Sequence, residues 1–218
     1  AHMQYMAKLT LSVLSGKVKS YQYELIDLSE DHPIDTAIAS QIADFNNRPE
    51  FYTTLAIASH NYNKEETGCF YTTALKESTE SELAIQNYGG IRAQLQKGNI
   101  RPYDVYTIDP FGNGLETYSV RVSDLKSFFA DHFSMAYSGL HISKVAGQIV
   151  IKSQEGGALL ADSTHIKIAV NDYISNLNPE TFTALIKRYD LTTADYLISY
   201  LKAQEQALDN QGCNRSID

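Results

Sequence analysis

The sequence predicts an α+β fold: a mainly antiparallel sheet built from successive β-hairpins, in ββα-type units, with covering helices and a C-terminal helical pair. Three observations lead there. Stretches rich in alternating or β-branched residues come in pairs, turn-forming residues such as Asn113-Gly114 separate the members of a pair, and after each of the first three pairs the apolar spacing changes from two to three or four.

In the first pair Leu9, Leu11 and Val13 alternate with Thr10 and Ser12, Ser15-Gly16-Lys17 offers a turn, and Tyr21, Tyr23 and Leu25 alternate with Gln22 and Glu24. After Asp31-His32-Pro33, Ile34, Ala37, Ile38, Ile42 and Phe45 place an apolar stripe on a helix, which Asn46-Asn47-Arg48-Pro49 ends. The second pair is residues 51–60 and 69–75, aromatic and β-branched, joined by the polar stretch 61–68. Thr79 and Glu82 have capping-box spacing and open a helical pattern of Leu83, Ile85, Tyr88, Ile91 and Leu95, with a break at Gly89-Gly90. The third pair starts at Tyr103, its two arms flanking Pro110-Phe111-Gly112-Asn113-Gly114, and Ser123 caps a helix whose Leu125, Phe128, Phe129 and Phe133 share a face. Residues 147–153 and 165–170 form the fourth pair, with Ile166, Ile168 and Val170 on one face. Helices over about 179–189 and 193–208 finish the chain, the second carrying Leu197, Tyr200, Leu201 and Leu208. No Pro/Gly/Ser-rich linker interrupts this order, so one domain is expected over 7–208. It follows a vector-derived, disordered 1–6 that opens with Ala1-His2-Met3, and precedes a flexible tail over 209–218.

Composition narrows the classes of function. Of 218 residues 43% are hydrophobic and 20% charged, enough for a core and without the charge excess of a disordered chain. No apolar run approaches the ~20 residues that cross a bilayer, and the N-terminus has no signal-peptide order, so a soluble, cytoplasmic protein that does not associate with membranes is expected. Two cysteines, Cys69 and Cys213, make neither a disulfide framework nor a four-thiolate zinc site. P-loop, dinucleotide-binding, HExxH and nucleophile-elbow motifs are all absent from the sequence.

The remaining candidates for chemistry are few. Asp109 and Glu116 would face each other across a two-residue loop at Gly112-Asn113 and could share a divalent ion as in metal-dependent nucleases, whereas Asp104 lies more than about 10 Å down the ladder. The lysine that such nucleases carry two residues beyond the Glu is here Tyr118, and no metal or cofactor is assigned. His60 and Cys69 end the second hairpin's loop, the minimum for an imidazole-activated thiolate, but no third partner or oxyanion hole accompanies them. His141 and His165 give a poor match to paired His-x-Ser/Thr phosphoesterase motifs, because the second reads His165-Ile166-Lys167, and His165 with Lys167 reads instead as a polar strand face. Residues 181–201 have helix-turn-helix proportions, yet the second helix offers one Lys and no Arg for phosphate contacts.

Charge ranks what is left. At net −8 with scattered Lys and Arg, direct duplex binding is disfavoured, while an acidic surface with 15 tyrosines suits protein recognition. The expectation is therefore a non-enzymatic, acidic regulatory or inhibitor protein with a protein partner. A nucleic-acid role for 181–201 and a metal-dependent phosphodiesterase centred on Asp109 and Glu116 are the alternatives. Strand addition at a free sheet edge would permit a homodimer.

Overall fold

Ser15 and Gly16, with φ of 53° and 74°, form a two-residue turn whose left-handed backbone matches strand twist. The turn joins β1 (Tyr5–Leu14) to β2 (Lys17–Asp27), antiparallel, with Leu9 opposite Tyr23 and Leu11 opposite Tyr21. Helix α1 (Thr36–Asn46) follows, started by the Asp35 carboxylate, which accepts from the N–H groups of Ala37 and Ile38 at 2.9 and 3.1 Å. The first hairpin and its helix thus form as expected, β1 beginning inside the stretch 1–6 expected to be disordered. In this computed structural model, which describes residues 4–28, 33–132, 134–153 and 156–209, these elements make one compact unit, Ala1–Arg48, and the rest a second, Pro49–Asp218. The stretch from 7 to 208 spans both. Phe133 and Cys213, and all of the expected tail except Asp209, lie outside the described residues.

The second unit departs from the expected order of hairpins and helices at five places. Strand β3 (Ala56–Ala58) is short, and residues 69–75 belong to helix α2 (Lys64–Thr79) rather than to a strand. Asn63 starts that helix: its Oδ1 accepts from Glu66 N–H at 2.8 Å while Glu66 Oε2 accepts from Asn63 N–H at 3.0 Å. Cys69, Phe70, Tyr71, Thr72, Ala74 and Leu75 are all buried, so the helix carries no polar face there to reveal its period. Thr79 ends α2 instead of opening a helix, and Leu83–Asn87 is strand β4, followed by a 3₁₀ turn at Tyr88–Gly90 and strand β5 (Gly98–Ile100), which pairs with β3.

Residues 102–108, expected as the first arm of the third hairpin, form helix α3 (Pro102–Ile108). Pro102 needs no N–H partner in the first turn, and the Asp104 carboxylate accepts from Arg101 N–H at 2.8 Å. Strand β6 (Gly114–Arg121) and helix α4 (Val122–Asp131) follow, Leu125, Phe128 and Phe129 being buried together as expected, but Arg121 rather than Ser123 stands at the helix N-cap, and Ser123 lies inside the first turn. Strands β7 (Met135–Ser138), β8 (His141–Val145), β9 (Gln148–Lys152) and β10 (His165–Asn171) come next, then helix α5 (Asp172–Leu177). β9 pairs with β8, not with β10. The expected helix over 179–189 is largely strand β11 (Ala184–Thr192), an edge strand mostly exposed, so alternation hardly marks it. Helix α6 (Thr193–Lys202) starts with a Thr192/Asp195 capping box. The helix-turn-helix reading of 181–201 is thereby replaced by strand followed by helix.

These elements form a mixed α+β fold with six helices among the described residues. The five-stranded sheet has the order β11-β6-β10-β4-β7 and is mixed rather than purely antiparallel, because β4 and β10 run parallel. Its two faces bury two cores. Ala84 and Ala169 join Phe70, Tyr71, Leu75, Leu197 and Leu201 of α2 and α6, while Leu83, Ile85, Ile166, Ile168 and Val170 join Leu125 and Phe129 of α4. Small residues on one side admit the buried helix α2, and β-branched residues fill the other. No described helix is long and apolar enough to cross a membrane.

Candidate functional site

Parallel β4 and β10 end together, at Asn87 and Asn171, beside the first residues of β6. Ligands in open sheets sit beyond such carboxyl ends, where the chain is free to diverge. Here three segments distant in sequence do so and enclose a cavity of about 290 Å³, lined by Asn87, Gly89, Gly90, Arg92, Phe111, Asn113 and Tyr173. Beneath it, buried Asn171 Nδ2 donates to Gln86 Oε1 at 2.7 Å, tying the two parallel strands together. Gly90 lies against that pair: a Cβ there would run into the Gln86 amide.

Arg92 is held on both sides. Its backbone N–H donates to Ile108 O at 2.9 Å, Nη1 donates to Gly89 O at 3.3 Å, and the guanidinium carbon stands 5.8 Å from the centre of the Phe111 ring. Phe111 and Tyr173, both on the cavity lining, are 51% and 52% exposed. The 109–113 loop that carries Phe111 is secured at its end, where Thr193 N–H donates to Asn113 O at 2.9 Å.

The carboxylates expected to share an ion are not brought together. Because 102–108 is helical, Asp109 does not lie opposite Glu116, whose cross-strand partners are Val170 and Arg188. Asp109, 1% exposed, accepts through Oδ2 from Tyr71 OH at 2.7 Å and Thr193 Oγ1 at 2.5 Å. Burial, and next the charge of Asp109, pushes the Tyr71 hydroxyl well above the usual tyrosine value, so it stays a donor. Glu116, 4% exposed, accepts through Oε2 from Tyr118 OH and Ser175 Oγ, both at 2.6 Å, and through Oε1 from Arg188 Nε at 2.5 Å. Burial raises its pKa, but the hydrogen bonds from Ser175, Tyr118 and Arg188, with the charge of Arg188, outweigh it and hold the carboxyl below its ordinary value. Among the described residues no group of three or more His, Cys, Asp or Glu side chains could hold a metal ion.

The other candidates separate as well. Cys69 sits on buried α2 and is disulfide-bonded, so it offers no thiolate to His60. His60 Nδ1 lies 2.9 Å from Ser59 Oγ, its ring stacks on Tyr62 with centroids 4.4 Å apart, and Nε2 is 3.6 Å from Glu66 Oε2. His165 is exposed on β10, and Lys167 Nζ donates to Thr79 O at 2.6 Å. Sequence reasoning misses Arg92, Phe111, Asn113 and Tyr173. The available signal is an aromatic residue inside a Gly- and Asn-rich loop, which by itself reads as a turn alone.

Residues 41–185 match the family described as "5'-nucleotidase, C-terminal domain". The chain belongs to that family. This overturns the expectation of a non-enzymatic, protein-binding regulator: the family is that of a nucleotidase-type enzyme. The 5'-nucleotidase C-terminal domain seen here is 41% identical over 64 residues to the NAD 5'-nucleotidase of Haemophilus influenzae, a match covering 29% of this chain and 11% of that protein. The fold is shared with the 5'-nucleotidase precursor of Thermus thermophilus (TM-score 0.66, 20% identity, 95% of this chain and 49% of that one). It is shared equally with the sulfate thiohydrolase SoxB of the same organism (TM-score 0.65, 14% identity, 98% of this chain and 46% of that one). The chain spans about a tenth of that curated relative and about half of these two solved chains.

Proposed function

We propose that this chain supplies the substrate-recognition face of a nucleotidase, and that the cavity between β4, the 109–113 loop and α5 takes the nucleoside part of a nucleotide. The observation that carries the reading is the convergence of two half-exposed rings, Phe111 and Tyr173, with Arg92 on one 290 Å³ cavity. A nucleobase is planar and stacks on aromatic faces, the Asn87 and Asn113 amides each offer both donors and an acceptor for a base or sugar edge, and a guanidinium suits phosphate. SoxB shares the fold, so architecture alone does not choose the substrate; the cavity lining does. The reading covers binding and orientation of the nucleotide, and no bond-breaking step is written for residues of this chain. The disulfide at Cys69 is the observation in favour of an oxidising compartment, in place of the cytoplasmic one expected from sequence.

Titration calorimetry of AMP into the 218-residue chain tests this. Stacking contributes roughly 1–3 kcal/mol per base by alanine substitution, so Phe111→Ala and Tyr173→Ala should each weaken binding by about 5- to 150-fold. Arg92→Ala should weaken AMP more than adenosine. Equal affinity of both ring variants and the unaltered chain would sink the assignment.

A further inference from the structure

Asp109 is buried and unused by the cavity lining, and it sits at the first position of the loop that carries Phe111 and Asn113. Its Oδ2 takes two hydroxyl donors, Tyr71 from the middle of α2 and Thr193 from the first turn of α6. Its Oδ1 is buried with no hydrogen-bond partner among the described residues, a costly state that an apolar side chain would avoid. Thr193 also grips the far end of the same loop, through its N–H on Asn113 O at 2.9 Å and a longer 3.4 Å approach of Oγ1 to that oxygen. One fully buried threonine therefore holds both ends of a five-residue loop, and Gly112 at φ 64° lets the chain turn back between them.

We propose that Asp109 and Thr193 form a clamp that positions the ligand-contacting wall of the cavity, so that affinity for the nucleoside part of the substrate is set from behind by a carboxylate and a hydroxyl that never touch it. The inference rests on the binding site proposed above. The loop itself has little else to define it: Phe111 is half exposed, and the ring contact that holds it is the one with the Arg92 guanidinium. A ring on a short loop whose ends are fixed has fewer orientations to lose when a base stacks on it, which is the sense in which such a clamp raises affinity. Asp109 and Thr193 are thus positioning residues, acting through Phe111 and Asn113.

The test separates clamp from site. AMP binding to the 218-residue chain is measured by calorimetry for Thr193→Val, which removes the hydroxyl at nearly constant shape, for Thr193→Ser, which keeps it, for Phe111→Ala, and for Thr193→Val combined with Phe111→Ala. The expected result is a loss of about fivefold or more in Thr193→Val, recovery to within about twofold in Thr193→Ser, and no further loss when Thr193→Val is added to Phe111→Ala. The missing increment in the double variant is what a merely structural role would not produce. If Thr193→Val binds AMP like the unaltered chain, or its loss persists in full without the Phe111 ring, the clamp is refuted while the site stands. If Phe111→Ala also binds normally, the site is refuted and the clamp with it. Should Thr193→Val not fold, Asp109→Asn takes its place in the same cycle, since it keeps the side-chain volume and one acceptor oxygen.

Discussion

Glu116 and Arg188 form one ion pair whose two members should matter very unequally. Glu116→Ala strips Tyr118 OH of the oxygen it donates to and leaves Ser175 Oγ only its longer bond to Asp172 O at 3.2 Å, and water reaches neither freely because these residues are 6% and 4% exposed. A buried polar group left unsatisfied costs about 1–3 kcal/mol, and that is the cost expected from Tyr118 OH. For a unit of this size each kcal/mol moves Tm by about 2–4 °C, giving a fall of about 2–12 °C. Arg188 differs: its side chain is 70% exposed, solvent replaces its bond, and Glu116 keeps both hydroxyl donors after it is gone. Arg188→Ala should therefore lower Tm by less than about 4 °C. Differential scanning calorimetry of the two variants decides the matter. Equal falls, or a larger one for Arg188→Ala, would show that the ion pair rather than the hydroxyl acceptor stabilises β6.

The same carboxylate predicts a pH effect. Its pKa is lower in the fold than in the unfolded chain, so its contribution is present above the unfolded value of about 4.3 and lost as pH falls through that value toward the folded one. Between pH 5 and 3 the unaltered chain should lose more Tm than Glu116→Gln, and parallel curves would contradict this. Gly139 has φ 119° and a Cβ there would overlap the Glu82 carbonyl oxygen, so Gly139→Ala should cost roughly 2–6 kcal/mol in urea unfolding. Gly147→Ala, at φ 83° with open space around it, should cost only about 1 kcal/mol, and equal costs would refute the steric argument. Asn63→Ala removes one arm of the α2 capping box and should cost about 1 kcal/mol, read from the same transition; no change would show that the cap is dispensable.

How far the sequence speaks for itself depends on exposure. β1, β2 and α1 are legible because their faces alternate or repeat cleanly and Gly16 marks the turn. β10 is legible in the same way, since Ile166, Ile168 and Val170 enter one core. Helix α2 is not, because a helix buried around Phe70, Tyr71 and Leu75 has no polar stripe, and its Thr and aromatic residues mimic a strand. β4 and β11 escape for opposite reasons: Leu83–Asn87 is buried on both faces, whereas most of β11 is on neither. Asp109 and Glu116 stand out in the sequence as unusual carboxylates, but their chemistry follows from α3 being a helix, which Pro102 and Asp104 signal only in hindsight. The cavity itself has no motif, since its lining comes from residues 87–92, 111–113 and 173, and nothing local announces that those stretches meet.

That dispersal has a thermodynamic corollary. A cavity assembled from the end of β4, the 109–113 loop and α5 vanishes when the sheet opens, so an occupant binds the folded chain and has nothing to hold in the unfolded one. Any true occupant then stabilises the whole second unit by mass action, by about 2.7 kcal/mol at a hundred times its dissociation constant. Melting curves recorded across a panel of mononucleotides, dinucleotides and nucleosides would rank them by this shift, and the chain would report its own preferred ligand without a catalytic assay.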